Sequence, residues 1–343
     1  MKVAVYHNNN DIRIEHREVP KINDNELLVR IKASGICGTD LMEWYRIQKG
    51  PRVLGHEISG DIVKAGKNVK NFKIGQRVFA THHVPCNECK YCSEGNHTAC
   101  EALHNGNFEP GGFSEYVRVP EQNVKFGTFL LPDNVSYEEA TFIEPLACVV
   151  RGQRIVNLKK NHNVLILGSG VSGLLNIQLA KLNGAKATAT DISDYRLKKA
   201  IEFGADRVFH SDEFDNEINE YKKNFSKENF FLNKFDRIII CTGAMPAFQQ
   251  AFKSVDRKGT ILFFAIPNKN IEMPTLDFWR NEITYTSSYG AAPNDLKESL
   301  KLILDGKINV KDMVTHKLPL DKIQEGFRIM ADGKESLKVL IEP

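Results

Sequence analysis

The chain has 343 residues, and at roughly 150 residues per domain this allows about two domains and a sizeable core, which excludes a small stapled peptide. Hydrophobic residues make up 42% and charged residues 26%, close to globular averages, which excludes disorder and fibrous structure as starting points. The balance of 46 Lys and Arg against 43 Asp and Glu leaves a net charge of only +3 with no basic run, which argues against nucleic acid or an anionic membrane as partner.

The N-terminal MKVAVYHNNN carries neither the charged nor the apolar segment of a secretory signal, and no apolar stretch reaches the roughly 18 residues of a membrane span. A soluble cytoplasmic protein is expected. The first third reads as short strands punctuated by glycine. Residues 27–33 alternate apolar and polar, 58–63 are strand-like, and 112–119 alternate again with aromatic residues inside, which suggests a compact all-β domain.

Within that third, Cys86, Cys89, Cys92 and Cys100 form C-x2-C-x2-C-x7-C. Four thiolates close a tetrahedral Zn²⁺ site with no open position, the pattern of a structural metal. The alternatives are free core cysteines or an iron–sulfur centre.

After about residue 146 the texture changes. Residues 164–167 read as a buried strand, 174–182 have helical spacing, and 187–190, 237–241 and 260–265 are further strands, so a parallel doubly wound sheet is expected. Residues 222–233 read as a polar surface connection. The tail holds a helix at 295–304 and a strand-like run at 337–341 that can return to the first domain's sheet.

The strand at 164–167 runs into Gly168-Ser169-Gly170-Val171-Ser172-Gly173 and then into a helix. In this setting Gly168 permits the tight turn, Gly170 lets the backbone approach a pyrophosphate, Gly173 allows close helix packing, and the helix N-terminus offers N–H groups to the phosphates. Asp191 ends the next strand, 18 residues past Gly173, where a carboxylate accepts hydrogen bonds from a ribose diol and repels a 2′-phosphate. NAD is therefore favoured, although nearby Arg196 is able to meet a phosphate.

Three further segments each set a metal-competent side chain in apolar or glycine-rich surroundings: GICGTD at 35–40 with Cys37, GHE at 55–57 with His56 and Glu57, and FIEPL at 142–146 with Glu144. A carboxylate in an apolar run is costly to bury unless it meets a cation or a proton.

On these motifs, together with the four-cysteine lobe, GGFSEY at 111–116, GSGVSG at 168–173 and the ending LKVLIEP, the sequence resembles the zinc-dependent medium-chain dehydrogenase/reductase family. The likeness is strongest to the polyol (sorbitol) and threonine dehydrogenase branch and spans essentially the whole chain. The resemblance implies an α/β protein: a GroES-like β-rich catalytic domain at 1–146, a Rossmann NAD-binding domain at 147–288, and a C-terminal segment at 289–343 that returns to the catalytic domain. It implies two zinc ions per chain, one structural and one catalytic at the cleft beside the Rossmann domain. Cys37, His56 and Glu144 match ligand positions of the catalytic ion, and Glu57 is either a direct ligand or a partner of one. The implied reaction oxidises a secondary alcohol by hydride transfer to C4 of NAD⁺, with Thr39 as the hydroxyl that contacts the alcohol oxygen. Many relatives place a His three residues after that Ser or Thr to end a proton relay. Here Met42 stands there and cannot carry a proton, so solvent or Glu43 has to substitute. The family also implies a homodimer or homotetramer.

The segment Leu41 to Arg52 joins two of these ligand positions and is either a polar rim suited to hydroxyl-rich substrates or a solvated loop; Arg46 or Lys49 can meet a phosphate or carboxylate. Polyol-oxidising relatives carry Arg-Tyr where this chain has Ser288-Tyr289, so sorbitol itself is in question and a cyclitol, sugar or other secondary alcohol stands beside it. Cys148 falls where relatives approach the nicotinamide, or is a small core residue. Two rival functions remain: a zinc-independent quinone or enoyl reductase of the same fold, whose members generally lack these ligands, and a non-enzymatic zinc-ribbon nucleic-acid binder, which needs clustered Lys and Arg beside the lobe.

Overall fold

Alternating β-branched and polar residues build the first strands of the computed structural model, which describes residues 1–214, 216 and 234–343. The chain divides into two units, Met1–Ala147 with Gly290–Pro343, and Cys148–Tyr289. In the first unit β1 (Lys2–Asn8) pairs antiparallel with β2 (Asp11–His16) and β4 (Arg52–Val53), which flank it on either side. The long β3 (Leu27–Gly35) pairs antiparallel with β5 (Glu57–Ala65) and β7 (Tyr116–Val119). The antiparallel ladder continues through β6 (Arg77–Thr81) to β8 (Thr128–Leu130). Leu27, Val29, Ile31, Ile58, Ile62, Val78 and Val117 from these strands pack into one buried cluster, the alternation of β3 having sent its apolar side chains inward.

Residues 112–115 are not strand. Gly111 and Gly112 instead press against the Val53–Gly55 turn, with Phe113 N donating to Leu54 O at 2.9 Å and Gly112 N to Gly55 O at 2.9 Å. Gly55 has φ +89°, and a Cβ there would stand 2.7 Å from Phe113 N, so only glycine serves in front of His56.

The second unit carries β9 (Asn163–Leu167), β10 (Lys186–Asp191), β11 (Arg207–His210), β12 (Phe235–Ile240), β13 (Val255–Phe263) and β14 (Thr284–Ser287). They form one parallel sheet in the order β11-β10-β9-β12-β13-β14. Counted from β9 this is 3-2-1-4-5-6, the doubly wound dinucleotide-binding order, whose switch point lies at the carboxyl ends of the central strands. Leu165, Leu167, Ile238, Ile240 and Ile261 are fully buried, the continuous apolar pattern of strands covered on both faces. The connection read at 222–233 lies outside the described residues.

The tail completes the first unit's sheet. β15 (Val314–Pro319) runs parallel to β16 (Lys338–Glu342), and β16 pairs antiparallel with β3, Leu340 opposite Gly35. Gly35 is also paired with Glu57 on its other side, so this register sets Lys338 of the tail beside Glu57. Among the described residues, no helix is long and apolar enough to cross a membrane.

Candidate active site

The end of β3, the start of β5 and the two ends of the segment 36–56 that joins them bring three donors together. One ligand atom from each of Cys37, His56 and Glu57 lies within 4.8 Å of the others. Asp40, fully buried, organises this group: its carboxylate accepts Cys37 N–H at 3.0 Å and stands 3.7 Å from His56 Nδ1. The Glu57 carboxylate is 1% exposed and meets the ammonium of Lys338, 1% exposed, whose Nζ also lies 5.2 Å from the centroid of the Phe142 ring. Glu144, in the first turn of the helix Ile143–Ile155, falls outside the three-residue group, but its charge acts on His56.

The electrostatics describe a site that attracts a cation. Burial disfavours a charged His56, yet Asp40, Cys37 and Glu144 outweigh it and hold the imidazole up at about 10. A thiol, an imidazole and several carboxylates packed this closely are the donor set of a zinc site of the open, catalytic kind. Two further imidazoles adjoin it. The His82 ring centroid is 4.7 Å from that of His56, and His83 stacks on His82 at 3.7 Å. Burial, then the neighbouring positive groups, push His82 well below the ordinary histidine value and His83 down to about 3, so both are neutral.

Thr39 lies in the short turn Gly38–Leu41 and donates from Oγ1 to Cys37 Sγ at 3.3 Å. Arg46 folds back onto this turn, its Nε donating to Thr39 O at 2.9 Å and its Nη2 to Thr39 Oγ1 at 3.0 Å.

In the cysteine lobe, Cys86, Cys89, Cys92 and Cys100 bring their sulfurs within 4.8 Å of one another, and all four thiols are free of disulfides. The recorded contacts are Cys100–Cys86 at 3.5 Å, Cys89–Cys92 at 3.6 Å and Cys86–Cys92 at 3.9 Å. A tetrahedron of Zn–S bonds of about 2.3 Å separates its sulfurs by about 3.8 Å, so the lobe fits the ion. Backbone N–H groups of Glu88 and Cys89 aim at Cys86 Sγ and that of Cys86 at Cys100 Sγ. Burial disfavours a Cys100 thiolate, but N–H donors from Cys86, Leu103 and Ala102 bring it down to about 6.

In the second unit the loop after β9 turns at Gly168, φ +96°, and enters the helix Val171–Leu182 with Gly170 as its N-cap. A Cβ on Gly173 would lie 1.9 Å from Gly168 O, whereas one on Gly170 would meet nothing within 4 Å. The open side of Gly170 faces room that a pyrophosphate can fill, with the helix N-terminus behind it. Asp191 ends β10, 6% exposed, and its two oxygens accept the N–H groups of Ser169 at 2.8 Å and Ser193 at 3.0 Å. Each oxygen keeps a further acceptor direction for a ribose hydroxyl. Arg196 lies on the helix Asp194–Glu202, its Nε buried without a hydrogen-bond partner.

Sequence reasoning passed over Asp40, Lys338, His82 and the inward turn of Arg46. Lys338 did leave a signal, a lone ammonium in the apolar run 337–341, the same argument that picked out Glu144. Asp40 and His82 are set by tertiary packing, which spacing along the chain does not carry.

Comparison with known proteins places the chain in a family. The family model of the alcohol dehydrogenase GroES-like domain matches residues 23–128, and that of the zinc-binding dehydrogenase matches residues 172–305. D-arabitol-phosphate dehydrogenase of Enterococcus avium is 32% identical, the alignment covering 94% of this chain and 92% of that protein. Sorbitol dehydrogenase of Bacillus subtilis is also 32% identical, over 100% of this chain and 97% of that protein. Among solved structures, 2R,3R-butanediol dehydrogenase of Bacillus subtilis superposes with a TM-score of 0.84 at 30% identity, covering 100% of this chain and 99% of that one. With its GroES-like and doubly wound units, its two sulfur-bearing donor clusters and these relatives, the chain belongs to the zinc-dependent medium-chain dehydrogenase/reductase family, in its polyol dehydrogenase branch.

Proposed function

We propose that the protein is a zinc-dependent, NAD-linked dehydrogenase that oxidises a secondary alcohol of a polyol, cyclitol, sugar or related hydroxyl-rich small molecule to a ketone. The observation that carries this reading is the convergence of Cys37, His56 and Glu57 on one point, in a chain that also holds the glycine loop and Asp191 of a dinucleotide site. Polyols and polyol phosphates in the relatives' names support the substrate class.

In this reading Cys37, His56 and a carboxylate, Glu144 or Glu57, would hold the catalytic zinc, the other carboxylate standing beside it, and the ion would supply Lewis acidity to the substrate hydroxyl. Asp40 fixes the Cys37 backbone and the His56 ring, and Lys338 holds the Glu57 carboxylate in place. Thr39 meets the substrate oxygen with its hydroxyl. Cys86, Cys89, Cys92 and Cys100 hold the structural zinc. Gly168, Gly170, Val171 and Gly173 seat the pyrophosphate of NAD⁺, whose nicotinamide takes the hydride, and Asp191 binds the adenosine ribose. Arg196 offers its Nε at the same end of the nucleotide.

The same reading makes the enzyme a cytoplasmic homodimer or homotetramer with neither nucleic acid nor membrane as partner. The near-neutral charge supports the absence of nucleic acid, and exposed Trp279, on the helix Thr275–Asn281, and Tyr285, on the outer strand β14, support association of copies.

The test is a panel of polyols, inositols, sugars, sugar phosphates, amino alcohols and short secondary alcohols with NAD⁺, followed by NADH absorbance with a chelator control. Chelator-sensitive NADH formation from a polyol-like alcohol is expected. Turnover of quinones or enones alone, insensitive to chelator, would overturn the reading.

A further inference from the structure

Met42 occupies the place from which a histidine would pass on the proton of the Thr39 hydroxyl, and the structure shows what meets that hydroxyl instead. Arg46 reaches it from one turn further on. Its guanidinium makes three contacts with adjacent atoms: Nε to Thr39 O at 2.9 Å, Nη2 to Thr39 Oγ1 at 3.0 Å and Nη2 to Asp40 Oδ1 at 3.3 Å. The side chain is only 15% exposed, its plane lies over Tyr45 with the guanidinium carbon 5.2 Å from the ring centroid, and its partner Asp40 is fully buried. A planar fork held at this many points is a fixed donor.

We propose that Arg46 is the positioning residue for Thr39, setting which way its hydroxyl points in the reaction. The inference rests on the reading of Thr39 as the group that meets the substrate oxygen. A hydroxyl has one hydrogen and two lone pairs. Arg46 donates into one lone pair, so the hydrogen turns away from the arginine, and in the structure it points to Cys37 Sγ at 3.3 Å, the side on which the metal donors converge. One lone pair remains, and a substrate oxygen receives the hydrogen by drawing it away from Cys37 Sγ. A guanidinium has no acceptor, so no proton leaves Thr39 through Arg46. The arginine therefore replaces the missing histidine in orientation only. The positive charge also polarises the hydroxyl and makes Thr39 a stronger donor to the substrate oxygen.

The test uses the full-length protein with cobalt(II) in place of zinc, so that a thiolate-to-cobalt band reports on Cys37 directly. The part of that absorption removed by Cys37→Ser belongs to the catalytic site. Thr39→Val and Arg46→Met are each expected to shift this band in the same direction, and the double variant to shift it no further than Thr39→Val alone. Arg46→Lys, which keeps a cation beside buried Asp40, returns part of the native position and guards against a folding defect. With D-sorbitol as probe alcohol and zinc in place, Arg46→Met lowers kcat about 10- to 100-fold while KM changes much less. A native band in Arg46→Met, shifts that add in the double variant, or a rise in KM with kcat unchanged would each overturn the inference and leave the metal site standing. A cobalt spectrum with no Cys37-dependent part would overturn the metal site and the inference together.

Discussion

Cys37, Asp191 and His83 are three kinds of residue: one proposed to carry chemistry, one proposed to select a cofactor, and one whose shifted titration makes folding depend on pH. Cys37→Ser replaces a thiolate donor by a hydroxyl and is expected to abolish alcohol oxidation while nucleotide binding, measured by NADH fluorescence, stays near its native value. Asp191→Ala removes the carboxylate proposed to bind the ribose, so NAD⁺ is expected to weaken by about 10-fold or more and NADP⁺ much less; equal losses would contradict the ribose contact. His82 and His83 are half-buried and neutral, with His83 held down at about 3. The unfolded chain binds protons at these rings below about pH 6.5, so stability is complete above that value and is lost as the pH falls toward 3. His83→Gln is expected to flatten this dependence by up to about 1.4 kcal/mol per pH unit, read as the difference in urea unfolding between pH 7 and pH 5. Parallel curves for the two proteins would show that His83 is not the group responsible.

Elements were legible in the sequence where period and turn chemistry agreed, and obscured where tertiary packing intervened. The alternation at 27–33 became β3, and the run 164–167 with its glycine loop became β9 and the helix after it. At 112–119 the same alternation misled, because Gly111 and Gly112 are spent on close contact with the Val53–Gly55 turn and only Tyr116–Val119 pairs as strand. β13 starts at Val255 rather than at 260, since its first residues Asp256, Arg257 and Lys258 are polar and Lys258 takes φ +58°, a break in the ladder that hydrophobic patterning misses. The candidate site divides in the same way. The donors stand in short motifs that can be read locally, while Asp40, Arg46 and Lys338 are recruited by the fold of the turn after β3 and by the pairing of β16 with β3. The Lys338–Glu57 pair belongs to this scale. Lys338→Met would leave a buried carboxylate unpaired and is expected to cost about 3–5 kcal/mol in chemical unfolding. A loss under about 1 kcal/mol would mean that Glu57 finds its compensating charge elsewhere.

For the whole molecule, the parallel doubly wound sheet followed from the change of texture near residue 146, while its strand order 3-2-1-4-5-6 is one of several that an alternating strand and helix pattern permits. Both donor groups belong to one unit and differ in number: the lobe offers four sulfurs, which closes a tetrahedral site, whereas Cys37, His56 and Glu57 offer three donors, one fewer than a tetrahedral zinc takes. The most direct measurement is zinc per chain by elemental analysis in the native protein and in His56→Ala, made alongside NAD⁺-dependent alcohol oxidation. The account predicts about two zinc ions falling to about one, with oxidation lost and the fold retained. A single zinc in the native protein that His56→Ala leaves in place, with oxidation undiminished, would contradict it.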